Sequence, residues 1–172
     1  MIPSHTSSRT LLSRPLLIPE LPLVLFGFLL NFVWEMWVVP FYAAIGQMDH
    51  WDAIRLCTRA AFGDVVILLA AFWVAAIIAR SRNWLVTPRP LPFTVYLGIG
   101  LAVTVVFEYL ATGVFGRWAY AEAAPVVPVL ETGLAPVLQW LLLPPLALSL
   151  SRWHLIGAAH VRMLERKGTR SD

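Results

Sequence analysis

Residues 60–79 read AAFGDVVILLAAFWVAAIIA, twenty positions with one charged side chain, Asp64. At about 1.5 Å of rise per helical residue, this stretch matches the roughly 30 Å hydrocarbon core of a bilayer. Three further stretches do the same: residues 21–40 (LPLVLFGFLLNFVWEMWVVP), 93–112 (FTVYLGIGLAVTVVFEYLAT) and 134–151 (LAPVLQWLLLPPLALSLS). The last is the shortest, and Pro144-Pro145 is expected to bend it. The fold class that follows is all-α, an integral membrane four-helix bundle. Residues 1–20 read as an N-terminal tail, 21–151 as the four-span domain and 152–172 as a basic C-terminal tail. The first span reads as a retained signal anchor, because its apolar run is too long for a signal-peptide core and no small-residue cleavage site follows it.

Composition points the same way. Of 172 residues, 59% are apolar and 13% are charged, against about 25% charged in an ordinary soluble domain. Too little polar surface is present to cover a water-soluble globule. One cysteine, Cys57, leaves no intrachain disulfide and no paired-cysteine metal or redox motif. The single lysine, Lys167, lies in the tail, so a retinal-type Schiff base has no lysine inside the membrane. The net charge of +3 reports membrane topology, and no nucleic-acid partner is expected.

The basic residues set the orientation. Four spans put both termini and the loop 80–92 on one side. That side carries Arg9, Arg14, Arg80, Arg82, Arg89, Arg152, Arg162, Arg166, Lys167 and Arg170, whereas the other carries only Arg55, Arg59 and Arg117. The bias predicts N-in and C-in, with both termini cytoplasmic in the inner membrane of a bacterium. On the outer side, residues 46–59 (GQMDHWDAIRLCTR) are expected to lie on the surface as a short amphipathic helix. Residues 113–133 are too apolar for a free loop and are expected to fold back as a cap. The spacings Ala71-Ala75-Ala79 and Gly100-Thr104 allow close helix contact.

Counting from the helix ends puts the ionisable residues of the spans at one depth. Glu35 falls about 9 Å below the outer boundary, Asp64 about 6 Å, and Glu108 and Gln139 about 7 to 8 Å. The inner halves of the spans hold no charge. Intramembrane carboxyls cost several kcal/mol and normally face the bundle interior, so one outward-opening chamber lined by all four spans is expected. Asn31 with Glu35, and Thr104 with Glu108 and Thr112, form polar stripes at helical spacing. Arg59 stands at the start of the second span, and Arg117 is expected to fold back onto Glu108 or Glu35. Three acids with few cations cannot all be charged at neutral pH, and a carboxyl that keeps its proton can donate it. Trp34, Trp118, Tyr120 and other aromatics crowd the same level; they read as an interfacial belt that can also line a pocket. No metal site is expected, although His50 stands on the acidic side, and no cofactor is named by the sequence.

The strings NFVWE (31–35), CTRAAFGD (57–64), FEYLATGVFGRWAY (107–120) and GLAPVLQWLLLPP (133–145) resemble a group of small bacterial inner-membrane proteins to which no activity is attached. The resemblance covers residues 30–145 and implies the four-helix architecture without a mechanism. In outline the architecture is also similar to compact isoprenoid enzymes, the sterol-isomerase-type fold and the small lycopene cyclases, which hold acids and aromatics in an intramembrane pocket.

Three functions fit these residues. One is a binder of a lipid-like or pigment-like ligand, or an accessory subunit of a larger membrane complex or homo-oligomer. Another is an intramembrane enzyme acting on a lipid or isoprenoid. In it Glu35 and Glu108 form the acid–base pair and Asp64 and Arg117 set their ionisation. Asn31, Trp34, Arg59, Trp118, Tyr120 and Gln139 hold the ligand. A small transporter or proton path is the third, and the dry inner halves speak against it.

Overall fold

The computed structural model describes residues 18–128 and 132–168. Of the expected tails, Arg9, Arg14 and Arg170 lie outside the described residues. Four long helices account for most of the chain. α1 spans Glu20–Val38 and continues as a 3-10 turn, Val39–Phe41. α2 spans His50–Ala79, α3 spans Pro90–Tyr109 and runs into a π-helical turn, Leu110–Val114, and α4 spans Leu134–Gly168. Two short strands, β1 (Val126–Val127) and β2 (Thr132–Gly133), pair antiparallel ahead of α4. All four helices are long and apolar enough to cross a membrane.

The helix ends follow from local chemistry. The Asp49 side chain accepts from the Trp51 amide at 3.0 Å and so caps α2. Arg80, at φ 53°, closes α2 in the left-handed conformation. Pro90 opens α3 at a position where its missing N–H costs nothing.

Two helices are longer than the hydropathy implies. Residues 50–59 are not a separate surface helix; they are the first three turns of α2. No glycine or proline separates them from the apolar run, and extending a helix is far cheaper than nucleating a second one. α4 passes through Pro144-Pro145 as one continuous helix and carries the expected basic tail onward as helix to Gly168.

α1 packs on α2 and α4, and α3 packs on the same two helices. Most of the core lies toward the end that carries the 80–89 loop. Leu23, Leu68, Phe72, Leu85, Tyr96 and Ala147 are fully buried there, and Trp84 nearly so. The Trp84 ring stacks on Phe72 at 5.7 Å and meets Tyr96 edge-on at 5.6 Å. Its indole N–H donates to the Phe72 carbonyl at 3.3 Å. Arg82 forks onto Glu20 at 2.9 and 3.0 Å, and Arg152 donates to the Val86 carbonyl at 2.9 Å. These contacts tie the loop to α1 and α4.

The outward faces are apolar as well. Leu25, Leu29, Val33 and Trp37, four apart on α1, are 55%, 50%, 67% and 74% exposed. Of the most apolar window of each helix, only 22% to 50% is buried inside the protein. Such a surface is at home in hydrocarbon rather than in water.

Gly100 permits the closest approach, between α3 and α4: a Cβ there would overlap the Trp140 ring. Gly98, one half-turn away, faces open space. Gly100→Ala is therefore expected to cost about 1–3 kcal/mol by overpacking, while Gly98→Ala is neutral or mildly stabilising. Thermal unfolding of both variants in detergent micelles checks this; equal midpoints would contradict the packing described.

Candidate functional site: a polar cluster under an aromatic cap

Gln139 sits in the second turn of α4 and is 5% exposed. Its Nε2 donates to Asn31 Oδ1 on α1 at 2.8 Å and to Asp64 Oδ2 on α2 at 2.8 Å, with Glu35 Oε1 on α1 at 3.3 Å. One amide thus gathers side chains from two other helices. Asn31 is oriented for this by its own backbone, since its Nδ2 donates to the Gly27 carbonyl one turn back at 2.7 Å. Asn31 and Glu35 share a face because they are four residues apart.

Glu108 stands on α3 two residues before the π-helical turn, a departure from α geometry often found at functional sites. Its carboxyl points to the cap. Glu108 Oε2 accepts from Trp118 Nε1 at 3.4 Å and from the Tyr120 hydroxyl. The cap that carries these donors is built by backbone pairing. The Ala43 amide donates to the Ala119 carbonyl at 3.0 Å and the Ala121 amide to the Phe41 carbonyl at 2.8 Å, which makes an antiparallel bridge between Tyr42 and Tyr120. The Arg117 amide donates to the Ala111 carbonyl at 2.8 Å, and the Leu134 amide donates to the Pro125 carbonyl at 2.8 Å. The chain following α3 is thereby held against the ends of α1, α3 and α4. Gly133 makes room for the Tyr120 ring, which a Cβ there would strike.

Tyr42 joins the two halves. Its ring lies 5.7 Å from that of Tyr120. Burial first, then the negative charges of Glu108, Glu35 and Asp64, hold its hydroxyl well above the ordinary tyrosine range. Tyr120 is raised for related reasons: burial first, then the hydrogen bond it gives to Glu108. Both phenols therefore keep their protons at neutral pH, and Tyr120 gives its own to Glu108.

Of the residues singled out in the sequence, Asn31, Glu35, Asp64 and Gln139 form one hydrogen-bonded cluster, and Glu108, Trp118 and Tyr120 form the second. The arginines do not join either. Arg59 is exposed, and Arg117 is exposed with its guanidinium 5.9 Å above the Phe115 ring. No ion pair joins an arginine or lysine to Glu35, Asp64 or Glu108 among the described residues. The expected partner of Glu108 is replaced because the Tyr42–Tyr120 bridge turns Trp118 and Tyr120, not Arg117, toward the acid. His50 is exposed, its ring against Trp51 at 5.8 Å, and no group of three or more His, Cys, Asp or Glu able to hold a metal occurs among the described residues.

Space lies beside the polar cluster. An apolar cleft of about 290 Å³ is lined by Trp34, Trp37, Val38, Phe41, Pro125, Leu134, Ala135 and Leu138. Its wall includes Trp34 and Leu138, the sequence neighbours of Glu35 and Gln139. The single polar chamber expected from the spans is thus divided into a filled hydrogen-bonded cluster and an apolar recess at its flank. The Trp34 indole N–H is buried without a partner. Two contributors gain roles that the sequence does not show. Tyr42 gains its place only through the strand-like pairing with Tyr120. Cys57 is 2% exposed, and its thiol donates to the Glu35 carbonyl at 3.7 Å. Thr104, part of the polar stripe read from the sequence, is 7% exposed, and its hydroxyl has no partner.

Comparison with known protein families, with curated proteins and with solved structures finds no match.

Replacing Gln139 by leucine strands the oxygens it serves, at about 1–3 kcal/mol for each buried acceptor left unpaired. Gln139→Leu is expected to lower the unfolding midpoint in detergent clearly; a midpoint equal to that of the native chain would show that the amide holds nothing together. The tyrosines give a pH signature. Their folded values lie above the ordinary 10.0, so from that pH upward the unfolded chain releases protons that the folded chain keeps, and stability falls. A decline in stability that sets in at about pH 10 and is weaker in Tyr42→Phe and Tyr120→Phe is the expected result.

Proposed function

We propose that the chain is a four-span bundle of a bacterial inner membrane, with both termini cytoplasmic, that binds a lipid-like or pigment-like ligand from the outer leaflet. The observation that carries this reading is an apolar cleft built from α1, α4 and the cap at the same end of the bundle as the polar cluster on α1, α2 and α4. An amphiphile needs such a pairing: an apolar recess for its body and hydrogen-bonding groups for its head. The exposed apolar faces of the helices support insertion in a bilayer. The excess of basic residues at the end opposite the cap supports the orientation. The core at that same end is packed with apolar side chains, which favours a ligand held at the outer end over a path through the full thickness.

A second reading, an intramembrane acid–base enzyme on a lipid or isoprenoid, is favoured by the donor count. Gln139 offers two amide hydrogens to three side-chain oxygens. A carboxyl that carries a proton supplies the missing donor, and such a proton can be transferred. Glu35, with the longest of the three contacts, is the acid best placed to give it.

Filling the cleft tests the first reading. Native mass spectrometry of the purified protein is expected to retain a small apolar molecule that Leu138→Trp expels without loss of fold. Identical spectra for the two proteins would count against the cleft as a ligand site. For the second reading, Glu35→Gln and Glu108→Gln leave the retained molecule in place but change its identity, from product-containing to substrate only. Unchanged ligand composition in both variants favours a binder.

A further inference from the structure

We propose that the end of the bundle carrying the 80–89 loop is a binding surface for an anionic phospholipid. Arg162 on α4 is its fixed charge, and exposed apolar side chains of the same helix are its contact with the acyl chains. This surface lies at the opposite end from the cleft and rests only on the part of the functional reading that puts the helices across a bilayer.

Three elements meet at this end. Arg82 of the loop forks onto Glu20 at the start of α1, and Arg152 of α4 donates to the Val86 carbonyl of the loop. The His154 ring on α4 lies 6.2 Å from that of Phe26 on α1. Glu20 stands six residues before Phe26, and the same count along the antiparallel α4 ends at His160. Arg82 and Arg162 are therefore close to one height. Among the described residues, the loop brings three arginines and residues 152–168 bring three arginines and a lysine, against two acids, Glu20 and Glu165. Glu20 is taken by Arg82, and Arg80, Arg89 and Arg162 form no ion pair among the described residues. Arg162 is also held in place: it is half-buried, and its Nη2 is closed off from solvent without a hydrogen-bond partner. A guanidinium so placed loses little freedom when an anion binds, and its fork matches the oxygens of a phosphate.

The surroundings of the charge favour a lipid over a soluble anion. α4 is 35 residues long, about 50 Å against about 30 Å of hydrocarbon, so its last turns stand at the level of the lipid head groups. Trp153, Val161 and Leu164 lie there on one face of the helix, at spacings of eight and three, and all are exposed. The Arg152 guanidinium sits 5.4 Å above the Trp153 ring, and both side chains are at home where hydrocarbon meets water. A nucleic acid offers the anion without hydrocarbon for these apolar groups; a phospholipid offers both.

The test uses the full chain in a nonionic detergent with an equimolar mixture of phosphatidylglycerol and phosphatidylcholine of identical acyl chains. Native mass spectrometry reads which lipid is retained. Phosphatidylglycerol is expected to be preferred by at least about tenfold, with about fivefold of that preference lost in Arg162→Gln. Arg55→Gln, at the opposite end, is expected to leave the ratio unchanged. Should Arg162→Gln fail to fold, the exposed pair Arg80→Gln with Arg89→Gln is read by the same ratio. Equal retention of the two lipids, or retention of neither, overturns the inference. So does a preference that survives the loop-end substitutions or is lost in Arg55→Gln, and so does displacement of both lipids by a short oligonucleotide. Reconstitution of the native chain into vesicles separates the two failures: a chain that inserts but shows no preference overturns the lipid surface alone, whereas one that does not insert overturns the membrane reading, and the surface falls with it.

Discussion

A buried polar side chain away from water must find a partner, and in this chain that constraint falls on one amide. Gln139 is all but sealed from solvent, and its two N–H groups reach Asn31 and Asp64 at 2.8 Å with Glu35 close behind. In an apolar interior each such group left alone costs on the order of several kcal/mol. The cluster therefore sets the relative height of α1, α2 and α4, because a slide of one turn on any of them would part the groups. Apolar contacts alone are less selective: leucine and alanine faces fit one another in several registers, whereas one amide with three acceptors fits in one.

The cap extends the same logic to the fourth helix. α3 brings no partner to Gln139; its acid is served from the loop, by Trp118 and Tyr120. Those donors reach Glu108 because Tyr42 and Tyr120 pair as strands do and because Gly133 leaves room for a ring. Folding of the cap and burial of Glu108 are thus one event. The result is a polar region with two tyrosines in its cap and an apolar cleft with tryptophan walls at the same end of the bundle. That combination underlies the proposal of an amphiphile-binding site.

The spans are legible in the sequence because their signal is length and hydropathy, which every residue of the segment contributes to. So is the shared depth of Glu35, Asp64, Glu108 and Gln139, since depth needs only counting from a helix end. Helix ends are harder to read. Asp52, Arg55 and Arg59 make residues 50–59 resemble a surface element, yet nothing there breaks the helix, and α2 begins at His50. The same holds beyond Ser151, where charge marks the end of an apolar run but not the end of α4. Partner choice in the loop is not legible at all. Arg117 is the natural mate for an acid by charge, and it turns instead to Phe115, while Tyr42 joins from a segment 78 residues away from Tyr120 through backbone pairing.

A double-mutant cycle between Gln139 and Asp64 tests the central claim most directly. Gln139→Leu, Asp64→Leu and the double variant are compared with the native chain by reversible unfolding in detergent. If the amide and the carboxyl are partners in one buried cluster, the two losses are strongly non-additive, with a coupling of about 1 kcal/mol or more. Losses that add within about 0.3–0.5 kcal/mol would mean that the two groups act apart, and the shared cluster would be contradicted.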